Sequence, residues 1–123
     1  MKITSFNPLI VTNHAEEIVS LFEALGFEKK HTPSATSAAG NAYTAYRMKD
    51  ANGFHVDISG VSNMERDMTI IRMNVDDLDE AYNLLTAHGF KAHEGSASLT
   101  PSSKSVLMVS PSGFAIDIVK HIK

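Results

Sequence analysis

Two aspartates carry most of the chemistry that this sequence offers. Asp57 sits in Gly53-Phe54-His55-Val56-Asp57-Ile58, and Asp117 sits in Gly113-Phe114-Ala115-Ile116-Asp117-Ile118. Strand side chains alternate between faces, so Phe54, Val56 and Ile58 are expected on one face, as are Phe114, Ile116 and Ile118. The two acids then take the other face, one from each half of the molecule. Carboxylates placed this way can hold a divalent ion or pair with a basic group, and they repel each other unless a cation intervenes. Arg72 stands two residues beyond Ile70 on its strand, and its planar fork can take a carboxylate in a bidentate manner. His55 shares the face of Asp57. Arg47 belongs to the neighbouring hairpin strand, where periodicity does not settle its direction. Two readings follow: a structural charge cluster of Arg72 with the two acids, or a site where Arg72, His55 and Arg47 receive a polar or anionic small molecule.

The elements that must position these groups occur twice. Residues 3–11 read as a strand, and a helix follows with Asn13 and Glu16 at capping spacing, an apolar stripe of Ile18, Leu21, Phe22 and Leu25, and Gly26 as its stop. A short strand at 27–31, a small, polar, mobile loop at 31–41, a strand at 43–48 and a glycine turn lead into the strand at 54–59. The second half repeats the plan: a strand at 68–75, a helix capped by Asp77 with Leu78, Ala81, Tyr82 and Leu85 in its stripe, and a stop at Gly89. A short strand at 90–94, a soft loop at 95–103 and strands at 104–109 and 114–121 complete it. Each half is therefore β-α-β-β-β, and the duplication covers nearly the whole chain. The expected architecture is α+β: two tandem βαβββ modules, 1–61 and 67–123, in one domain over 1–123. They form a curved mixed sheet around a cleft, with the helices on the outer face. Phe6, Pro8 and Ile10 are expected as an apolar wall of the cleft. Met48 and Met108 are repeat-equivalent and expected in the core.

Composition narrows the function classes. The chain has 123 residues, a formal charge of -3 and no cysteine. No basic run is present to recruit nucleic acid or an anionic membrane. No apolar stretch approaches the ~18 residues that span a bilayer, and no signal peptide is evident at the start. The absence of cysteine removes disulfides, thiolate catalysis and Cys-based zinc sites. A cytoplasmic protein is expected. No nucleophilic triad and no phosphate loop can be assembled. His14, His31, His88 and His93 read as surface histidines, and His121 lies too far along its strand from Asp117 to share an ion with it.

The duplicated plan, with Val-[Thr/Asp]-[Asn/Asp] before each helix, Gly-Phe after it and a closing Gly-Phe-x-[Val/Ile]-Asp-Ile, resembles the vicinal oxygen chelate superfamily. That group includes glyoxalase I, extradiol dioxygenases and the fosfomycin- and bleomycin-resistance proteins, and one scaffold there hosts many reactions. The resemblance implies four metal-ligand positions, one on the first and one on the last strand of each half. Matching Val11-Thr12-Asn13 to Val75-Asp76-Asp77 puts these at Phe6, Ile70, Asp57 and Asp117. Two are apolar and two are Asp where longer or imidazole ligands are usual, a poor set for an ion held at ~2.0–2.2 Å. The expectation is a metal-free, cytoplasmic, homodimeric small-molecule-binding protein with Asp57, Asp117, Arg72, His55, Arg47, Phe6 and Ile70 lining the site and no cofactor. One alternative is a glyoxalase-, lyase- or dioxygenase-type enzyme using Asp57 and Asp117 around a weakly held divalent ion. The other is a non-catalytic dimeric scaffold.

Overall fold

The computed structural model describes residues 1–31, 34–36, 42–62, 64–93, 98–100 and 103–121. Its elements run β1 (Ile3–Thr12), α1 (Ala15–Ala24), β2 (Glu28–His31), β3 (Ser34–Thr36), β4 (Ala42–Lys49) and β5 (His55–Gly60). They continue as β6 (Met68–Val75), α2 (Leu78–Ala87), β7 (Lys91–Ala92), β8 (Ser98–Thr100), β9 (Ser103–Val109) and β10 (Ala115–His121). The fold is α+β. The chain forms two compact units, one drawn mainly from residues 7–35 and 42–69, the other from residues 1–6 and 70–123. Among the described residues no helix is long and apolar enough to cross a membrane.

In the first half the strand order is β2-β4-β5-β1. β4 runs antiparallel to β2 and β5, and β5 runs parallel to β1. The second half has the same order of parts, β7-β9-β10-β6, with β9 antiparallel to β7 and β10 and with β10 parallel to β6. The expected loops at 31–41 and 95–103 each contain a three-residue strand, β3 on β4 and β8 on β9. Small polar residues pair there because the neighbouring strand offers free backbone groups, whatever the propensity of the segment itself. The other loop positions (32–33, 37–41, 94–97, 101 and 102) lie outside the described residues.

Each helix covers one face of its own half. Val19 of α1 packs with Met48, Val56 and Ile58, and Ile10, Ile18, Phe22, Phe27 and Tyr46 close around them. In the second half Ala81 of α2 packs with Met73, Val75, Met108 and Ile118, with Leu78, Leu85, Phe90 and Ile116 around them. Met48 and Met108 are both fully buried, as their repeat equivalence predicts. Burial of each such side chain stabilises the fold by roughly 1.5–3 kcal/mol. The helical stripes are narrower than periodicity suggests: Leu21, Leu25 and Tyr82 are exposed, and so are Phe54 and Phe114 just ahead of their strands. Phe114 instead meets Phe90 edge-on, at 6.1 Å between ring centroids.

The helix ends show one success and one correction. The Asp77 carboxylate accepts the Glu80 amide at 3.0 Å, so α2 has the expected cap. At α1 the cap position is His14, not Asn13, and its side chain makes no capping bond. Thr12 Oγ1 accepts the His14 amide instead, at 2.9 Å. Gly26 and Gly89 follow the helices with φ of 104° and 89°, a backbone that L side chains resist, and so both stops stand where glycine was expected. The start of β1 is fastened to the second half. The Met1 ammonium lies 2.6 Å from Glu80, the Lys2 amide donates to the Asp76 carboxylate at 2.6 Å, and the Lys2 carbonyl accepts the Asp76 amide at 3.1 Å. The Glu80 hydrogen bond raises the ammonium pKa above its ordinary 8.0.

Candidate functional site

Asp57 sits in the middle of three paired strands. Its Cα partners are Leu9 on β1 and Arg47 on β4, so all three side chains leave the same face, the one turned away from α1. Asp57 is 3% exposed. A carboxylate buried that far needs partners. Nδ2 of Asn7 donates to Oδ2 at 2.9 Å, and Nε of Arg47 lies 3.5 Å from Oδ1. Asn7 is itself 6% exposed, and its amide also donates to the Pro8 carbonyl at 2.9 Å. Arg47 therefore faces Asp57, which settles the direction that strand periodicity left open. His55 lies two residues before Asp57 on the same face, half-buried, with Lys49 as its cross-strand partner.

The β1 residues expected on this face are displaced by one. Leu9 pairs with Asp57, so Asn7, Leu9 and Val11 share its face, while Phe6, Pro8 and Ile10 take the other. Ile10 packs into the core beneath α1, and Phe6 is 61% exposed. By register it is Asn7, not Phe6, that shares the face of Asp57. Repeat spacing holds the signal that finds it. Gly26 and Gly89, and Ala15–Ala24 and Leu78–Ala87, match at an offset of 63, which sets Asn7 against Ile70. The match of Val11-Thr12-Asn13 to Val75-Asp76-Asp77 is one residue out, and a one-residue slip exchanges the two faces of a strand.

In the second half Asp117 has Arg72 on β6 and Leu107 on β9 as its Cα partners. Ile70 and Arg72 share this face with Asp117, as expected, with Ile70 buried and the other two half-buried. Asn74 continues the row. Its amide lies 2.8 Å from Nε2 of His121, and its Oδ1 is buried with no hydrogen-bond partner among the described residues. Sequence reasoning passed over Asn74 because no motif marks it.

By register, the positions where the resemblance implies metal ligands fall on Asn7 and Asp57 in one half and on Ile70 and Asp117 in the other. Ile70 has no donor atom, an amide is a weak ligand for a transition metal, and the Asp57 carboxylate already meets a guanidinium that repels a second cation. These residues do not fit such an ion. Among the described residues no three of His, Cys, Asp and Glu converge to hold a metal. A hollow of about 450 Å³ lies elsewhere, at the start of α1, between Asn13, His14, Glu16 and Glu17 and the side chains of Thr44 and Tyr46. Tyr46 lies on the helix-covered face, so this hollow opens on the opposite side of the sheet from Asp57. Tyr46 is there under the Lys29 ammonium, 5.7 Å from its ring centroid, and does not line the Asp57 face.

No protein-family model matches the sequence, and no curated protein matches it. Solved structures do. Methylmalonyl-CoA epimerase from Mycobacterium tuberculosis superposes with a TM-score of 0.73 at 12% identity, covering 98% of this chain and 90% of that one. Streptomyces coelicolor methylmalonyl-CoA epimerase, in complex with 2-nitronate-propionyl-CoA, gives 0.68 at 14% identity over 99% of this chain and 100% of the other. A glyoxalase/bleomycin resistance protein/dioxygenase superfamily member from Vibrio splendidus 12B01 gives 0.57 at 13% identity, covering 97% and 99%. At these identities the likeness is one of fold.

Proposed function

Starting from a chain with the vicinal oxygen chelate fold, we propose that it binds a polar or anionic small molecule on the helix-free faces of its strands, without a transition metal. In the first half the donors are Arg47 and His55, with Asp57 holding the guanidinium; in the second the donor is Arg72, with Asp117 as its acid. The observation that carries the reading is the surroundings of Asp57: a buried carboxylate engaged by an amide and a guanidinium rather than open to an ion. A metal entering there would have to displace Arg47 and would find the Asn7 amide already bonded to the acid. One neighbour of the same fold is in complex with 2-nitronate-propionyl-CoA. CoA thioesters and small acids are therefore the first ligands to try.

The test pairs metal analysis with melting. Purified protein is dialysed, its Ni, Zn, Mn and Fe are measured, and its melting temperature is followed against a panel of small acids and acyl-CoA thioesters. The expected result is a melting shift with members of the panel that persists in a chelator and shrinks in Arg47→Ala or Arg72→Ala. Whichever variant loses more identifies the half that takes the ligand. A stoichiometric metal that survives dialysis and is lost in both Asp57→Ala and Asp117→Ala would overturn the reading.

A further inference from the structure

Resting on that reading, we infer that Arg47 is the receptor for a carboxylate and that Asp57 and Asn7 are its positioning residues. Arg47 approaches Asp57 with Nε, which lies 3.5 Å from Oδ1. A guanidinium that meets an acid through Nε can offer its two terminal amino groups to another partner, and their spacing matches the two oxygens of a carboxylate. Exposure divides the pair in the same sense. The Asp57 side chain is 5% exposed and that of Arg47 is 37% exposed, so the acid is covered while the outer part of the cation reaches solvent.

The acid is also held from its far side. Asn7 donates to the other carboxylate oxygen, Oδ2, at 2.9 Å, and Asn7 is itself buried. Asp57 therefore has a fixed plane, and Arg47, meeting one of its oxygens, inherits an orientation. Binding then immobilises little that is not already ordered, which is how a single cation can hold a small anion. The rest of this face favours the same charge. Lys49 follows Arg47 by two residues and stands opposite His55. Glu28 is the cross-strand partner of Lys49, and its carboxylate is taken by Lys30 at 3.0 Å. An approaching anion meets Arg47, Lys49 and His55, whereas an approaching cation is repelled.

The test uses the full chain, labelled with 15N, titrated with propionate, with propionamide as its neutral isostere, and with inorganic phosphate. The expected result is a saturable shift of the Arg47 Nε–H signal and of β4–β5 amides with propionate, and none with propionamide. Arg47→Lys keeps the charge but loses the fork, and it weakens propionate about tenfold. Asp57→Asn keeps the shape of the side chain; it broadens the Arg47 Nε–H signal and weakens propionate by a similar factor. A merely structural role for Asp57 would leave that signal and the propionate-to-propionamide preference intact. Equal binding of propionate in wild type and Arg47→Lys, equal binding of propionamide, or tighter binding of phosphate than of propionate would each overturn the assignment. If an acyl-CoA thioester raises melting equally in wild type and Arg47→Lys, the carboxylate receptor fails while small-molecule binding stands. If no member of either panel moves any readout, both fail.

Discussion

The two halves set the same three residue types across equivalent strands in opposite orders. In the first, β1-β5-β4 present Leu9, Asp57 and Arg47; in the second, β6-β10-β9 present Arg72, Asp117 and Leu107. The aspartate is kept, and the arginine and leucine have changed sides around it. Under the helices the halves agree far more closely, with Met48 matched to Met108 and Ile58 to Ile118, all fully buried. Packing tolerates little change in volume, so the core faces stay alike. The open faces carry no such packing constraint, and there the halves have parted. Asn7 gives Asp57 a hydrogen bond that Ile70, its counterpart, has no atom to supply. The first half also gathers Lys49 and His55 beside its aspartate, where the second has Val109 and Ala115.

If the cores are equivalent, their largest paired residues should be too. Met48→Ala and Met108→Ala are each expected to cost about 2–5 kcal/mol, read by urea unfolding, and to differ by less than about 1 kcal/mol. A large difference would break the equivalence. The open faces should give the opposite result. Asp57→Ala leaves Asn7 and Arg47 without their acid and is expected to cost about 1–3 kcal/mol, the lower part of the range reflecting the exposure of Arg47. Asp117→Ala, at a half-buried site, is expected to cost less, by the same measurement.

The helix stops give a finer contrast. Gly26→Ala and Gly89→Ala both force a side chain into a left-handed backbone, worth about 1 kcal/mol. A Cβ at Gly89 would also meet the Pro111 ring at 3.2 Å, whereas at Gly26 it meets nothing. Thermal melting should therefore fall further for Gly89→Ala. The smallest effects belong to the caps. Asp77→Ala is expected to lose about 1 kcal/mol, and His14→Asp to gain about 0.5 kcal/mol by supplying the acceptor that α1 lacks.

Much of this was legible in the chain itself. Glycines at 26, 53, 89 and 113 marked turns that need positive φ, and alternation around Val56-Asp57-Ile58 separated a core face from a polar one. The corrections at the first strand and at the cap after it are each a shift of one residue. Pairing Val11-Thr12-Asn13 with Val75-Asp76-Asp77 rests on residue likeness, while the backbone pairs Thr12 with Val75. That slip puts Phe6 rather than Asn7 on the face of Asp57, and it agrees with the Asn13–Glu16 spacing that places the helix cap one residue before His14. An asparagine in a strand and a histidine at a cap carry weak local signals, so nothing in either segment corrects the slip. The direction of Arg47 was illegible for another reason, since Ala42 to Lys49 lacks a clean alternation and only its register against β5 decides it.

The opening residues of the chain belong to the unit formed by its far end, while β1 from Asn7 onward belongs to the other. A genetic cut between the repeats, anywhere from 61 to 67, would hand the carboxyl-terminal fragment a missing piece and leave the amino-terminal one an orphaned tail. Expressed apart, such fragments should fold poorly; mixed, they should recover as a complementing pair.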